Sequence, residues 1–165
     1  MSWRVASLGL TAAALISANA SASVQFSPLH EWCIRAAAST YYRPSDPISF
    51  NGLVDLIHAT MAVEGGCGVD HINANLSHDY GCMQINDTHL PLLRSYGINA
   101  ATLQYNDCQN IMIGTWVLAS ELKSGRDLWT SIGNYNSRTP KYNRAYQARI
   151  WLRLQQLWAS RIRSR

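Results

Sequence analysis

Residues 51–66 set the terms for the rest of this chain. Asn51-Gly-Leu-Val-Asp-Leu-Ile-His-Ala-Thr-Met-Ala-Val-Glu64 has the period of an amphipathic helix. Leu53, Leu56, Ile57, Thr60, Met61 and Glu64 fall on one face, which needs a core to cover it. Asn51 is a suitable N-cap, and Gly65-Gly66 can supply a left-handed stop. The apolar face ends on a carboxylic acid. Two readings are open for Glu64. Its side chain turns out to solvent from a frayed last turn, or it is a half-buried acid whose neutral form is favoured by desolvation. The second is the state that general acid chemistry near neutral pH requires.

At 165 residues the chain has room for one core. Residues 1–20 are expected to stand apart from it as a secretory signal peptide. Arg4 gives a short positive start, and Val5 to Ile16 is apolar but too short to span a bilayer. Ala18-Asn19-Ala20 and Ala20-Ser21-Ala22 are small-x-small sites, so cleavage is expected after Ala20 or Ala22 and a single domain over 23–165. A retained N-terminal anchor is the alternative. No later stretch is apolar enough to cross a membrane, which predicts a periplasmic or secreted protein without stable membrane insertion.

The four cysteines, Cys33, Cys67, Cys82 and Cys108, fit an oxidising compartment. Of the three possible pairings, Cys67–Cys82 with Cys33–Cys108 is favoured, because the first flanks the glycine-rich segment after Glu64 and the second closes the longer loop. Cys67, His71, His78 and Cys82 also have the spacing of a four-ligand zinc set. A disulfide uses the same two sulfurs without a metal, so neither metal nor cofactor is expected. The net charge of +4 is concentrated late, with no acid after Asp127 but arginines at 138, 144, 149, 153, 161, 163 and 165. That balance suits an anionic polymer, a membrane surface or an acidic partner. Charge alone would admit nucleic acid, but export argues against it.

The remaining pattern is mainly helical. A first helix is expected from Leu29 to Tyr42, carrying Trp32, Cys33, Ala36, Ala37 and Tyr41, and broken by Arg43-Pro-Ser-Asp-Pro47. After Glu64 comes an extended insert, with Tyr80 to Asn86 as a short strand or loop. Asp87 or Thr88 can cap a short helix stopped at Gly97, and Ala100 to Tyr105 can add a turn. Asp107 opens a helix facing inward with Ile111, Thr115, Leu118, Ala119 and Leu122, ended by Gly125. Gly114 in its middle invites close approach by a neighbouring helix or chain. Asp127 to Tyr135 is a further helix, with Leu128, Trp129 and Ile132 inward. Thr139-Pro140 starts a long last one, with Tyr142, Tyr146, Ile150, Leu154, Leu157 and Trp158 as its stripe.

Glu64-Gly-Gly, Gly81-Cys-Met-Gln-Ile85, Asn110-Ile-x-x-Gly114 and Tyr135-Asn136 follow one another in that order. The series resembles the lytic transglycosylases of the lysozyme-like superfamily (glycoside hydrolase family 23). Their signature is a helix-terminal Glu-Ser, a Gly-Leu-Met-Gln-Ile segment, an Asn-Ile-x-x-Gly helix and a late Tyr-Asn. Asp79, Asn86 and Gly133-Asn-Tyr-Asn-Ser137 look like the small group serving conjugation and type IV or type III secretion. Gly65 stands where the family usually has serine, and Cys82 where it has leucine. The resemblance implies an α+β lysozyme-like fold, mainly α, with the extended insert after the catalytic helix. It implies peptidoglycan glycan strands as substrate and, as possible partners, proteins of a secretion or conjugation apparatus.

It also implies roles. Glu64 would be the catalytic acid, Gly81 would let the chain pass close to the sugar, and Met83 and Gln84 would line the cleft. Tyr135 would hydrogen-bond near Glu64 or the N-acetyl group, and Asn136 would orient the loop. Asp79 is the candidate second carboxylate for a hydrolytic mechanism. The implied reaction splits the β-1,4 bond between N-acetylmuramic acid and N-acetylglucosamine and closes a 1,6-anhydro ring. A hydrolytic muramidase, a non-catalytic wall-binding assembly factor and a periplasmic metal-binding module are the rival readings.

Overall fold

The computed structural model describes residues 26–68, 70–124 and 126–164. The signal peptide expected over 1–20, the Gly125 stop and Arg165 lie outside the described residues. Helix α1 (Pro28–Tyr41) starts at a capping box between Ser27 and His30, with Pro28 in the first turn. Its buried face is Cys33, Ile34, Ala37 and Ala38, while Trp32 is 66% exposed. The small residues face inward here and let neighbouring helices come close.

Helix α2 (Phe50–Val63) is capped two residues earlier than expected. Ser49, not Asn51, accepts the Gly52 N–H through its side chain. The whole expected face is inside: Leu53, Leu56, Ile57, Thr60 and Met61 are buried. Val54, Asp55, His58 and Ala59 are buried as well, so α2 is enclosed on nearly all sides. It ends as a Schellman motif. Gly65 and Gly66 have φ of 97° and 82°, and the Gly66 N–H reaches the Met61 carbonyl at 2.8 Å. Glu64 is therefore fixed as the C-cap residue.

The insert is a three-stranded antiparallel sheet of β1 (Asp70–Ile72), β2 (His78–Tyr80) and β3 (Ile85–Asn86), in that order. The stretch from Tyr80 to Asn86 is not one strand. It folds back through a turn at Gly81 (φ 66°) and Gln84 (φ 48°), closed by the Gln84 N–H on the Gly81 carbonyl at 3.0 Å. A 3-10 turn (Asp87–His89) follows, capped by the Asn86 side chain rather than by Asp87 or Thr88. Then come α3 (Leu90–Leu93) and a second 3-10 turn (Arg94–Tyr96) that Gly97 stops with φ 74°.

Helices α4 (Ala100–Tyr105) and α5 (Asp107–Leu122) start at Asn99 and Asn106, each of which accepts a backbone N–H through its side chain. The expected face of α5 is buried in full. Helix α6 (Leu128–Asn134) is capped by Asp127 and buries Ile132, with Leu128 and Trp129 half-buried. Helix α7 (Pro140–Arg163) buries Asn143, Tyr146, Ile150 and Leu154. Tyr142 and Trp158, expected on that stripe, are 56% and 39% exposed. Asn143 holds the inward place beside Tyr142 because its amide donates to the Thr130 and Ser137 carbonyls and to the Asn134 side chain. The class is as expected, mainly α with a small β insert.

Candidate active site

Glu64 comes to its position from the end of α2, and α7 lies antiparallel against that helix. Tyr146 meets Glu64 at one end of the pair, and Trp158 and Arg161 meet Asp55 at the other. Glu64 is half-buried. Its Oε1 accepts the Tyr146 hydroxyl at 2.6 Å, across 82 residues of chain. Burial raises its carboxyl pKa above the ordinary value of 4.5. The Tyr146 hydrogen bond and the Arg149 charge pull the other way, and the Asp79 charge adds to the rise. Of the two sequence readings, the half-buried acid is the one observed.

Tyr146 is fully buried, and desolvation with the neighbouring Glu64 charge pushes its hydroxyl well above the usual tyrosine range. It stays a proton donor at any working pH. Arg149 lies over the Tyr146 ring at 5.1 Å, and the Tyr135 ring stacks on it at 6.2 Å. The Tyr135 hydroxyl, also raised by burial, donates to the Met83 carbonyl at 2.8 Å rather than to Glu64. Tyr135 thus ties the turn at Gly81–Gln84 to the Glu64 neighbourhood.

That turn is locked from behind by Asn110 of α5, which is fully buried. Its Oδ1 accepts the Met83 N–H at 2.8 Å, and its Nδ2 donates to the Tyr80 and Leu103 carbonyls. A Cβ on Gly81 would lie 2.5 Å from the Leu103 carbonyl oxygen and 2.6 Å from Asn110 Nδ2. Gly81 is therefore demanded by packing behind the turn and by its positive φ. The Met83 side chain packs inward. It is fully buried against Gly114, where an added Cβ would stand 2.5 Å from its sulfur. The close approach foreseen at Gly114 is made by this turn.

Gln84 holds a left-handed φ without being glycine, and its amide donates to the Gly81 carbonyl at 2.9 Å. Asn136 is exposed, and its backbone N–H closes onto the Gly133 carbonyl at 3.2 Å. Asp79 of β2 accepts the amides of Asn73 at 2.8 Å and Asn86 at 2.7 Å. Each carboxylate oxygen is thereby held by an amide donor.

Both favoured disulfides are present, Cys33–Cys108 joining α1 to α5 and Cys67–Cys82 joining the end of α2 to the turn. The zinc reading on Cys67, His71, His78 and Cys82 fails because those sulfurs are bonded to each other. The side chains gathered near them are instead His30 and Asp107, paired at 2.8 Å. Ser27 N–H points at His30 Nδ1, which places the ring proton on Nε2 toward Asp107. A metal on Nε2 would need the opposite tautomer.

Sequence reasoning missed Tyr146 and Arg149 as neighbours of Glu64. Tyr146 was visible as a core residue of the last helix and Arg149 as part of its charged face. The one available signal was a hydroxyl-bearing ring on an apolar stripe, and Tyr142 on the same stripe carried that signal too.

Residues 50–153 match the family model of the transglycosylase SLT domain, and that range holds Glu64, Asp79, Gln84, Asn110, Tyr135, Tyr146 and Arg149. The chain belongs to the transglycosylase SLT domain family. The chain is 37% identical over 92 residues to a peptidoglycan-binding-like protein of Escherichia coli O157:H7, covering 50% of this chain and 55% of that protein. It is 31% identical over 108 residues to invasion protein IagB of Salmonella typhimurium, covering 62% and 68%. It is 33% identical over 98 residues to the X polypeptide of Escherichia coli, covering 58% of each. The chain spans little more than half the length of the first of these relatives. Among the described residues, no helix of the SLT domain is long and apolar enough to cross a membrane.

Proposed function

We propose that this SLT-domain protein is a peptidoglycan lytic transglycosylase acting outside the cytoplasm, with Glu64 as its single acid and base. The observation that carries this reading is Glu64 itself: half-buried, raised in pKa, and held by Tyr146 at 2.6 Å. Protonated Glu64 donates to the glycosidic oxygen as the C1–O bond breaks. The C6 hydroxyl of the same muramic acid closes on C1, and the Glu64 carboxylate takes the hydroxyl proton. Proton transfer of this kind contributes on the order of 100- to 10,000-fold. The internal nucleophile removes the need to hold a water, which is why one carboxylate suffices. Tyr146 orients the acid and stays protonated throughout. Tyr135 and Asn110 hold the turn bearing Gln84 beside it, and Asn136 belongs to the loop next to Tyr135.

Asp79 supports a second reading, hydrolysis, because its oxygens are oriented by two amides and its charge reaches Glu64. Mass spectrometry of muropeptides from purified sacculi separates the two. Anhydro ends are expected from wild type, and neither product from Glu64→Gln. Reducing ends alone would mean that Asp79 activates water, and no cleavage at all would leave a wall-binding protein. The likeness to an invasion protein supports an auxiliary role in opening the wall for a secretion or conjugation apparatus. The expected leader and the two disulfides support export.

A further inference from the structure

A cavity of about 620 Å³ lies between α1, α2 and α7, and Glu64 is not in its wall. At about 3.6 residues per turn, its α2 residues His58, Ala59 and Ala62 lie on the face opposite Glu64. Arg35, Arg153 and Arg161 line it against one acid, Glu31. Glu31 is engaged by His58 Nε2 at 2.9 Å, and Arg161 is paired with Asp55 at 2.7 Å. Among the described residues Arg35 and Arg153 are in no ion pair, so two guanidinium groups face a cavity with no acid left for them. Arg153 donates to Gln156 Oε1 at 3.0 Å, and the Ser160 and Ser164 hydroxyls donate to the Leu157 and Arg161 carbonyls. The Gln156 amide N–H and the serine oxygens as acceptors are what these side chains offer a ligand, with Phe26 and Leu157 as apolar lining.

We infer that this cavity binds the carboxylate-bearing peptide stem of a peptidoglycan strand, an inference that rests on the wall-cleaving reading of Glu64. Guanidinium forks match carboxylates, the amide and hydroxyls match a peptide backbone, and the volume is that of a small-ligand site. A route from the acid exists along α7. Arg149, Arg153, Gln156 and Ser160 recur at steps of four, three and four and so share one side of the helix. Arg149 acts on Glu64, and Arg153 stands about 6 Å further along the axis, at the cavity. An extended stem of four or five residues reaches roughly 13–17 Å, enough to run from a sugar at Glu64 into the cavity.

The test titrates the full exported protein with three probes: a tetrapeptide stem freed from sacculi by an amidase, the same stem amidated at its carboxyl groups, and inorganic phosphate. The free stem is expected to bind. Amidation, or the double variant Arg35→Gln/Arg153→Gln, should weaken it at least about tenfold, the loss expected for charge-assisted hydrogen bonds. Equal binding of free and amidated stems, equal binding by the variant, or phosphate binding as tightly as the stem would overturn the inference. The same variant should cleave stem-free glycan at the wild-type rate and show a raised KM on stem-bearing glycan; an unchanged KM would also overturn it. Wild-type protein that leaves stem-free and stem-bearing glycan uncut would sink the catalytic reading, while stem binding would still be scored by the titration.

Discussion

Burial raises the Glu64 pKa and the Tyr146 hydrogen bond pulls it back, so that bond bears on the pH at which the proposed acid would work. Removing it in Tyr146→Phe takes away a contact that lowers the Glu64 pKa, so the pKa rises. The acid must be protonated to act, and activity falls as pH rises through its pKa. The alkaline limb of the pH–rate profile in Tyr146→Phe should therefore move upward, and a limb that moves down would refute the assignment of Glu64 as the acid. Stability carries the same signature. A raised pKa means the neutral form is favoured by the fold, so this contribution is complete below 4.5 and is lost as pH rises through the folded value. Glu64→Gln should gain in Tm relative to wild type between about pH 4 and about pH 8, read by scanning calorimetry. Glu64 was legible in the sequence because an acid on an apolar stripe conflicts with its surroundings. Tyr146 was not, because a tyrosine on such a stripe satisfies every core criterion until its hydroxyl's partner is known.

Elements were legible where periodicity and caps agreed, as in α2 and α5. They slipped where a polar residue was satisfied inside. Asn143 took the place predicted for Tyr142 because three backbone and side-chain acceptors surround its amide, and no hydropathy pattern encodes that. The turn at Gly81–Gln84 was expected to face substrate through Met83, yet Met83 fills the space over Gly114. Gly114→Ala should thus force the turn outward and cost about 1–3 kcal/mol in urea denaturation. It should lower cleavage as well, through Tyr135, which is bonded to the Met83 carbonyl. Wild-type stability in this variant would mean the turn is looser than its contacts indicate. The Cys67–Cys82 bridge spans 15 residues, and Cys67→Ser/Cys82→Ser should lose about 3 kcal/mol. Hydrogen exchange should quicken first in β2 and in the turn; uniform quickening across all helices would assign the bridge a global role instead.

For the molecule as a whole, the basic C-terminal end divides into two kinds of arginine. Arg161 is tied to buried Asp55, so its loss should lower stability at every salt concentration. Arg144 and Arg163 are exposed, and with a net charge of +4 they can act only at long range. Arg144→Gln/Arg163→Gln should reduce sedimentation with anionic sacculi at low salt and match wild type when screening shortens the Debye length to about 3 Å near 1 M. A deficit that persists at high salt would point to a direct contact. The sequence showed the charge but not which guanidinium was already spoken for.

Glu64 and Tyr146 stand 82 positions apart in the chain, with the acid the first of the two to be synthesised. A chain made from its N-terminus carries its acid long before the helix that tunes it has been synthesised. Loop closure over that span comes late in folding. If Glu64 is the acid proposed above, it gains the partner that tunes it only when the last helix docks.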